Sequence, residues 1–224
     1  MAHDWKIPDR EYARQLTRRG RLHAFERLAA PRTALVVVDM VPFFADENPH
    51  CRDAIGPINA LADALRPAGG VVAWVLPSRL DPYPELSAEF YGPQVAETFR
   101  LSGGEGPLPD RLCQGLRRQA DDIFVEKTAS SAFFPGRCEL PQLLEARGVD
   151  TVIVVGTVTN VCCEATARDA RTLGYRVIMA ADANAAPTDD MHNATLRTVY
   201  RSFGDVRPTA EILQLIAQGA PPPD

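Results

Sequence analysis

Residues 33–39 read TALVVVD. Six small, aliphatic or β-branched residues run without polar alternation and end on a carboxylate. A strand with one face in water alternates apolar and polar residues, whereas a strand covered on both faces does not, so this stretch reads as an interior strand of a parallel sheet. The same pattern returns at 70–76 (GVVAWVL), 122–126 (DIFVE), 151–155 (TVIVV) and 176–180 (RVIMA). Helical stretches are expected between these strands, at 53–66, 110–119, 139–147, 162–173 and 189–202. Gly148 and Gly174 stand where helices must stop, and Thr188 with Asp189 and Asp190 stands where one starts. A last edge strand at 205–207 and a closing helix at 209–218 complete the alternation. It predicts an α/β fold, a three-layer α/β/α Rossmann-like domain with a mainly parallel sheet of about six strands and right-handed crossovers.

The 224 residues are 46% hydrophobic and 24% charged, enough apolar content for a real core and too much for a disordered chain. The expected organisation is an N-terminal helical extension over 1–30, one domain over 31–218 and a flexible tail over 219–224, since the stretch QGAPPPD at 218–224 cannot continue a helix. A net charge of -5 supplies no field for gripping nucleic acid or an anionic membrane. No apolar run approaches the roughly 20 residues that cross a bilayer. The charged residues Asp4, Lys6, Asp9, Arg10 and Glu11 interrupt any export signal, and five cysteines, an odd number, form no complete disulfide framework. These features predict a cytoplasmic protein acting on a small molecule, with no nucleic-acid or membrane partner. The stretch 77–108, with five prolines, Tyr83, Phe90, Tyr91, Phe99 and Ser102-Gly103-Gly104, reads as a long aromatic loop over a site.

In an open parallel sheet, ligands bind beyond the carboxyl ends of the strands. There the first strand delivers Asp39, the third Lys127, and the fourth the segment 156–163, GTVTNVCC, which opens a helix. A free thiol has a pKa of about 8.5, which a helix N-terminus and a nearby cation would lower. Asp39 would take the thiol proton and later deliver it to a leaving nitrogen, while Lys127 holds the pair in register. Backbone N–H groups in the tight turn would face a developing oxyanion. The reaction this suggests is acyl transfer to water through a thioester.

The blocks LVVVDM at 35–40 with Phe44, Lys127 with Ser131-Ala132-Phe133-Phe134, and GTVTNVCCEATARDA at 156–170 with Gly174 and Asp182 beyond resemble the isochorismatase-like cysteine hydrolases. These include nicotinamidases, N-carbamoylsarcosine amidase, ureidoacrylate amidohydrolase and streptothricin hydrolase. The resemblance implies a triad of Asp39, Lys127 and Cys162, a cis peptide between Thr157 and Val158, and an oxyanion hole from the backbone N–H groups of Val158 and Cys162. It also implies a homodimer or homotetramer and a substrate pocket including Phe44, Phe133, Phe134, Thr157 and Asn160.

Two departures sharpen the reading. Val41-Pro42 stands where many members have Gln. Residues 79–83 (RLDPY) hold no histidine, unlike the metal site of nicotinamidases, so neither a metal nor a cofactor is expected. Classical isochorismatases, which cleave a vinyl ether, lack a cysteine at the nucleophile position, so Cys162 points to an amide or ureido/carbamoyl carbon–nitrogen bond. Cleavage of a vinyl ether, or an idle member serving in an assembly, stay as alternatives. Cys163 is the other candidate nucleophile. Cys51, Cys113 and Cys138 read as structural, and His3, His23, His50 and His192 as surface or capping residues. Arg79, Arg197 and Arg201 are the candidate partners for a substrate carboxylate. No G-x-G-x-x-G, Walker or G-x-S-x-G motif supports a nucleotide-binding or serine-hydrolase reading.

Overall fold

The computed structural model describes residues 2–220. Its strands are β1 (Thr33–Val38), β2 (Val71–Pro77), β3 (Ile123–Lys127), β4 (Thr151–Thr157), β5 (Arg176–Ala185) and β6 (Asp205–Arg207). They form one sheet in the order β3-β2-β1-β4-β5-β6, and every neighbouring pair is parallel.

All six residues of β1 are buried, because successive side chains enter different layers. Leu35 and Val37 pack with Trp74, with Leu61 and Leu65 of α3 (Pro49–Leu65) and with Ile212 of α9 (Thr209–Gly219). Ala34, Val36 and Val38 pack on the other face with Leu144 of α6 (Leu140–Glu145), Ala167 of α7 (Glu164–Thr172) and Leu196 of α8 (Asp189–Ser202). Strand order reverses at β1 and β4, so their carboxyl ends border the crevice where connections leave toward opposite faces.

The region 77–108, read as an open loop, instead holds two short helices, α4 (Pro84–Tyr91) and α5 (Pro93–Leu101). Pro84 and Pro93 stand at the first helical position, where a missing N–H costs nothing, and Gly92 turns the chain between the helices at φ 80°. The helix expected over 110–119 is absent: only one 3-10 turn, Leu108–Arg111, forms there. Side chains take over the backbone partners of that segment. Asn59 accepts from Arg117 N at 2.8 Å and donates to Gly115 O at 2.7 Å, while Asp122 accepts from Gln119 N at 2.8 Å.

The N-terminal segment is tied down rather than frayed. Lys6 N donates to Asn193 Oδ1 at 2.7 Å and Asn193 Nδ2 donates to Asp4 O at 3.0 Å, ahead of α1 (Asp9–Arg19). Gly219 ends α9, and residues 221–224 of the expected tail lie outside the described residues. No described helix is long and apolar enough to cross a membrane.

Candidate active site

Asp39 directly follows β1 and adopts φ 52°, a left-handed conformation that Asp tolerates better than most residues and that often marks functional positions. The turn is pinned on both sides, Asp39 N donating to Val75 O and Val41 N to Asp39 O, each at 2.8 Å. Lys127 is the last residue of β3, opposite Pro77 of β2. Cys162 follows β4 in a wide π turn, Thr159–Cys163, which precedes α7. Such turns recur at functional positions. Gly156 lets β4 approach β1, since a Cβ there would lie 2.1 Å from Val38 O.

These elements bring the three side chains together. Lys127 Nζ donates to Asp39 Oδ2 at 2.8 Å, to Cys162 Sγ at 3.5 Å and to Ala129 O at 3.1 Å, so all three of its protons are engaged. Asp39 and Lys127 are almost wholly buried, whereas Cys162 is half-buried. Asp39 Oδ1 is buried with no hydrogen-bond donor from the described residues.

Burial alone would push the Lys127 pKa down. The charge on Asp39 and the Cys162 sulfur outweigh it and hold the ammonium above its ordinary value. The thiol departs from the expectation of a lowered pKa: burial first, and then Asp39, push Cys162 up to about 12, with Lys127 pulling the other way. Lys127 therefore rests as an ammonium and Cys162 as a thiol, and the thiol needs a base at the moment it reacts.

The Thr157–Val158 peptide is cis, and Val158 O accepts from Val161 N at 3.0 Å and Cys163 N at 3.2 Å. A cleft of about 350 Å³ reaches Asp39, Lys127 and Cys162, within the range of small-ligand pockets. Phe44 lines it, with Tyr83, Leu86 and Tyr91 from the α4 region and Phe99 and Arg100 from α5. The aromatic residues of 77–108 thus do border the cleft, except Phe90, which is 78% exposed.

Other expected pocket residues lie elsewhere. Phe133 is fully buried beside Tyr175, on the core side of its segment, and Phe134 turns to solvent. Thr157 sits beneath the turn, accepting from Cys51 Sγ at 3.4 Å and donating to Ala185 O at 3.3 Å. Asn160 is half-buried with its Oδ1 enclosed, and is not among the cleft-lining residues.

Arg79 pairs with Glu105, and Arg201 lies 3.9 Å from Glu11, away from the cleft. Arg100, which sequence reasoning did not single out, is the arginine lining the cleft. Its Nε and Nη2 each donate to Glu97 at 2.6 Å. Only that three-residue spacing within a helix hinted at it.

The histidines correct the expectation of scattered surface residues. His3 and His192 are buried, with His3 stacked between His50 at 3.8 Å and His192 at 4.1 Å. One ligand atom each from His3, His50 and Asp189 lies within 4.8 Å of the others, a spacing a divalent cation accepts. In this arrangement both His3 nitrogens are in use, Nδ1 at 2.6 Å from Asp189 Oδ1 and Nε2 accepting from Ala186 N at 3.0 Å.

A doubly wound parallel sheet thus brings a carboxyl group, an ammonium and a thiol together at its switch point. The Isochorismatase domain model matches residues 33–211, and the chain belongs to the isochorismatase family. It is 30% identical to a ureidoacrylate amidohydrolase of Agrobacterium fabrum, over 88% of this chain and 95% of that one. Among solved structures it is similar to a cysteine hydrolase from Pseudomonas syringae pv. phaseolicola, with a TM-score of 0.77, 32% identity and coverage of 88% and 98% of the two chains. It is also similar to N-carbamoylsarcosine amidase from Thermoplasma acidophilum, with a TM-score of 0.63, 29% identity and coverage of 80% and 96%. With these relatives, the chain is a hydrolase of this family.

Proposed function

We propose that this enzyme hydrolyses the carbon–nitrogen bond of a small amide or ureido/carbamoyl compound through a thioester on Cys162. The observation that carries the reading is Lys127 Nζ bridging the buried Asp39 carboxylate at 2.8 Å and the Cys162 sulfur at 3.5 Å beside an open cleft. Two relatives named above are amide hydrolases by name.

In this mechanism Asp39 Oδ1, the carboxylate oxygen without a donor, takes the thiol proton as Sγ attacks the carbonyl carbon. A thiol held protonated suits this general-base step, since no standing thiolate is required. Lys127 stays charged throughout and keeps the carboxylate and sulfur in register. The backbone N–H groups of Val158 and Cys162 receive the oxyanion. Asp39 then gives its proton to the leaving nitrogen, and a water molecule, deprotonated by the same carboxylate, cleaves the thioester and restores the thiol.

The reading extends to the enzyme's setting. Five free thiols suit a reducing cytoplasm. Leu86, Phe90, Tyr91 and Val95, exposed together on α4 and α5, suit a homodimer or homotetramer in which another copy covers them.

Purified enzyme offered a panel of small carboxamides and ureido acids is expected to release ammonia from at least one of them, with kcat on the order of 1 s⁻¹ or more. Cleavage of a vinyl ether with no ammonia from any panel member would contradict the reading.

A further inference from the structure

His192 is fully buried in α8 and is not among the residues lining the cleft, yet both of its ring nitrogens are used. Nε2 lies 3.0 Å from Ala181 O, and a carbonyl oxygen only accepts, so Nε2 carries the proton. Nδ1 is then the acceptor for the Thr159 hydroxyl, 3.0 Å away. Burial, with the nearby His3, drives the imidazole pKa down to about 3, so the ring is neutral across ordinary pH and this tautomer persists.

Thr159, itself fully buried, is the first residue of the π turn whose fourth residue is Cys162. The ring therefore ties that turn to α8, which carries it, and through Ala181 to β5, and one further ring contact holds it. His3 lies nearly parallel against it, 12° between planes, and is anchored in turn by Asp189 and by Ala186 N. His50 covers the other face of His3.

We propose that His192 is a positioning residue for Cys162: through its hydrogen bond with Thr159 it sets the turn that aims the thiol at Asp39 and Lys127, and the N-terminal segment clamps it in place through His3. The inference rests on Cys162 being the nucleophile. A misplacement of about 1 Å in a reacting group costs on the order of 100-fold in rate, so a bond one turn away from the thiol is enough to matter.

The two amide side chains separate positioning from packing. In His192→Asn an amide atom sits near the place of Nδ1 and keeps the partner of Thr159, whereas in His192→Gln the amide reaches the place of Nε2 and keeps only Ala181. His192→Asn is expected to retain kcat within about 3-fold of wild type. His192→Gln is expected to lose about 10- to 100-fold in kcat with KM within about 2-fold, the mark of a misaimed reacting group rather than lost binding. Thr159→Val, a smaller change, should lose kcat as His192→Gln does, and Thr159→Ser should restore it.

Alkylation of Cys162 by iodoacetamide, followed by peptide mass, reports on the thiol without any substrate. It should slow in His192→Gln and Thr159→Val and stay near wild type in His192→Asn and Thr159→Ser. Equal kcat losses in His192→Asn and His192→Gln, or unchanged alkylation in Thr159→Val, would overturn the proposal. Wild-type protein that hydrolyses no amide while the alkylation pattern holds would count against the hydrolytic reading alone.

Discussion

Replacing Cys162 with alanine is expected to lower kcat/KM for amide hydrolysis by about 10⁴-fold or more, because removal of a nucleophile that acts as a unit with its base leaves only the binding and oxyanion contributions. The fold should be indifferent to the change. Cys162 is half-buried at the cleft, and Lys127 keeps two of its three partners, Asp39 and Ala129 O, when the sulfur is removed. Serine at the same position should recover little, since a hydroxyl is a far weaker acid than the thiol it replaces and Asp39 is a weak base. The neighbouring Cys163 separates register from chemistry. It is fully buried with Sγ toward Val155 O at 4.0 Å, and burial pushes its thiol well above the usual range. Cys163→Ala is therefore expected to keep kcat/KM within a few-fold and to lose on the order of 1 kcal/mol of stability, the cost of a small core cavity. Steady-state ammonia release and thermal unfolding of the two variants check both halves.

Lys127→Met should be damaging in two separable ways. Turnover is expected to fall by about 10²- to 10³-fold, because Asp39 and Cys162 lose the ammonium that holds them in register. Stability is expected to fall by about 3–5 kcal/mol near neutral pH, since methionine fills the volume but leaves the Asp39 carboxylate buried without its cation. The sign of the pH dependence follows from Lys127, whose pKa is held above its ordinary value against burial by Asp39 and the Cys162 sulfur. The ammonium's contribution is therefore fully present below the unfolded lysine value of about 10.4 and is lost as pH rises through the higher folded value. The variant's deficit is expected to stay level between about pH 6 and 9 and to shrink above about pH 10.4. Urea unfolding midpoints of the two proteins across that range check it, and a deficit that grows at the alkaline end would contradict it.

Much of the sheet is legible in the sequence for a physical reason. Strands buried on both faces carry uninterrupted apolar runs, and all six residues of 33–38 and all seven of 151–157 are buried. The switch point follows from the alternation of strands and helices, so topology alone places Asp39, Lys127 and Cys162 at one end of the sheet. What escaped was set by contacts distant in sequence. Asn59 and Asp122 take over backbone partners near 115–119 and prevent the helix that local preference favours. His3 and His192 meet across nearly the whole chain, so no spacing rule could pair them. Phe133 and Phe134 are adjacent and chemically identical, yet one enters the core and the other faces water, a choice made by the turn that carries them. The thiol's direction of shift also escaped, because a nearby cation was visible in the motif while the depth of burial was not.

The most direct measurement is mass spectrometry of enzyme quenched with acid during turnover of whichever panel amide it hydrolyses. The account predicts an adduct equal to the substrate's acyl fragment, on the peptide containing Cys162 and on no other cysteine, that decays with the release of acid and is absent from Cys162→Ala. Undiminished turnover by Cys162→Ala, or an acyl adduct carried by any other residue, would contradict it.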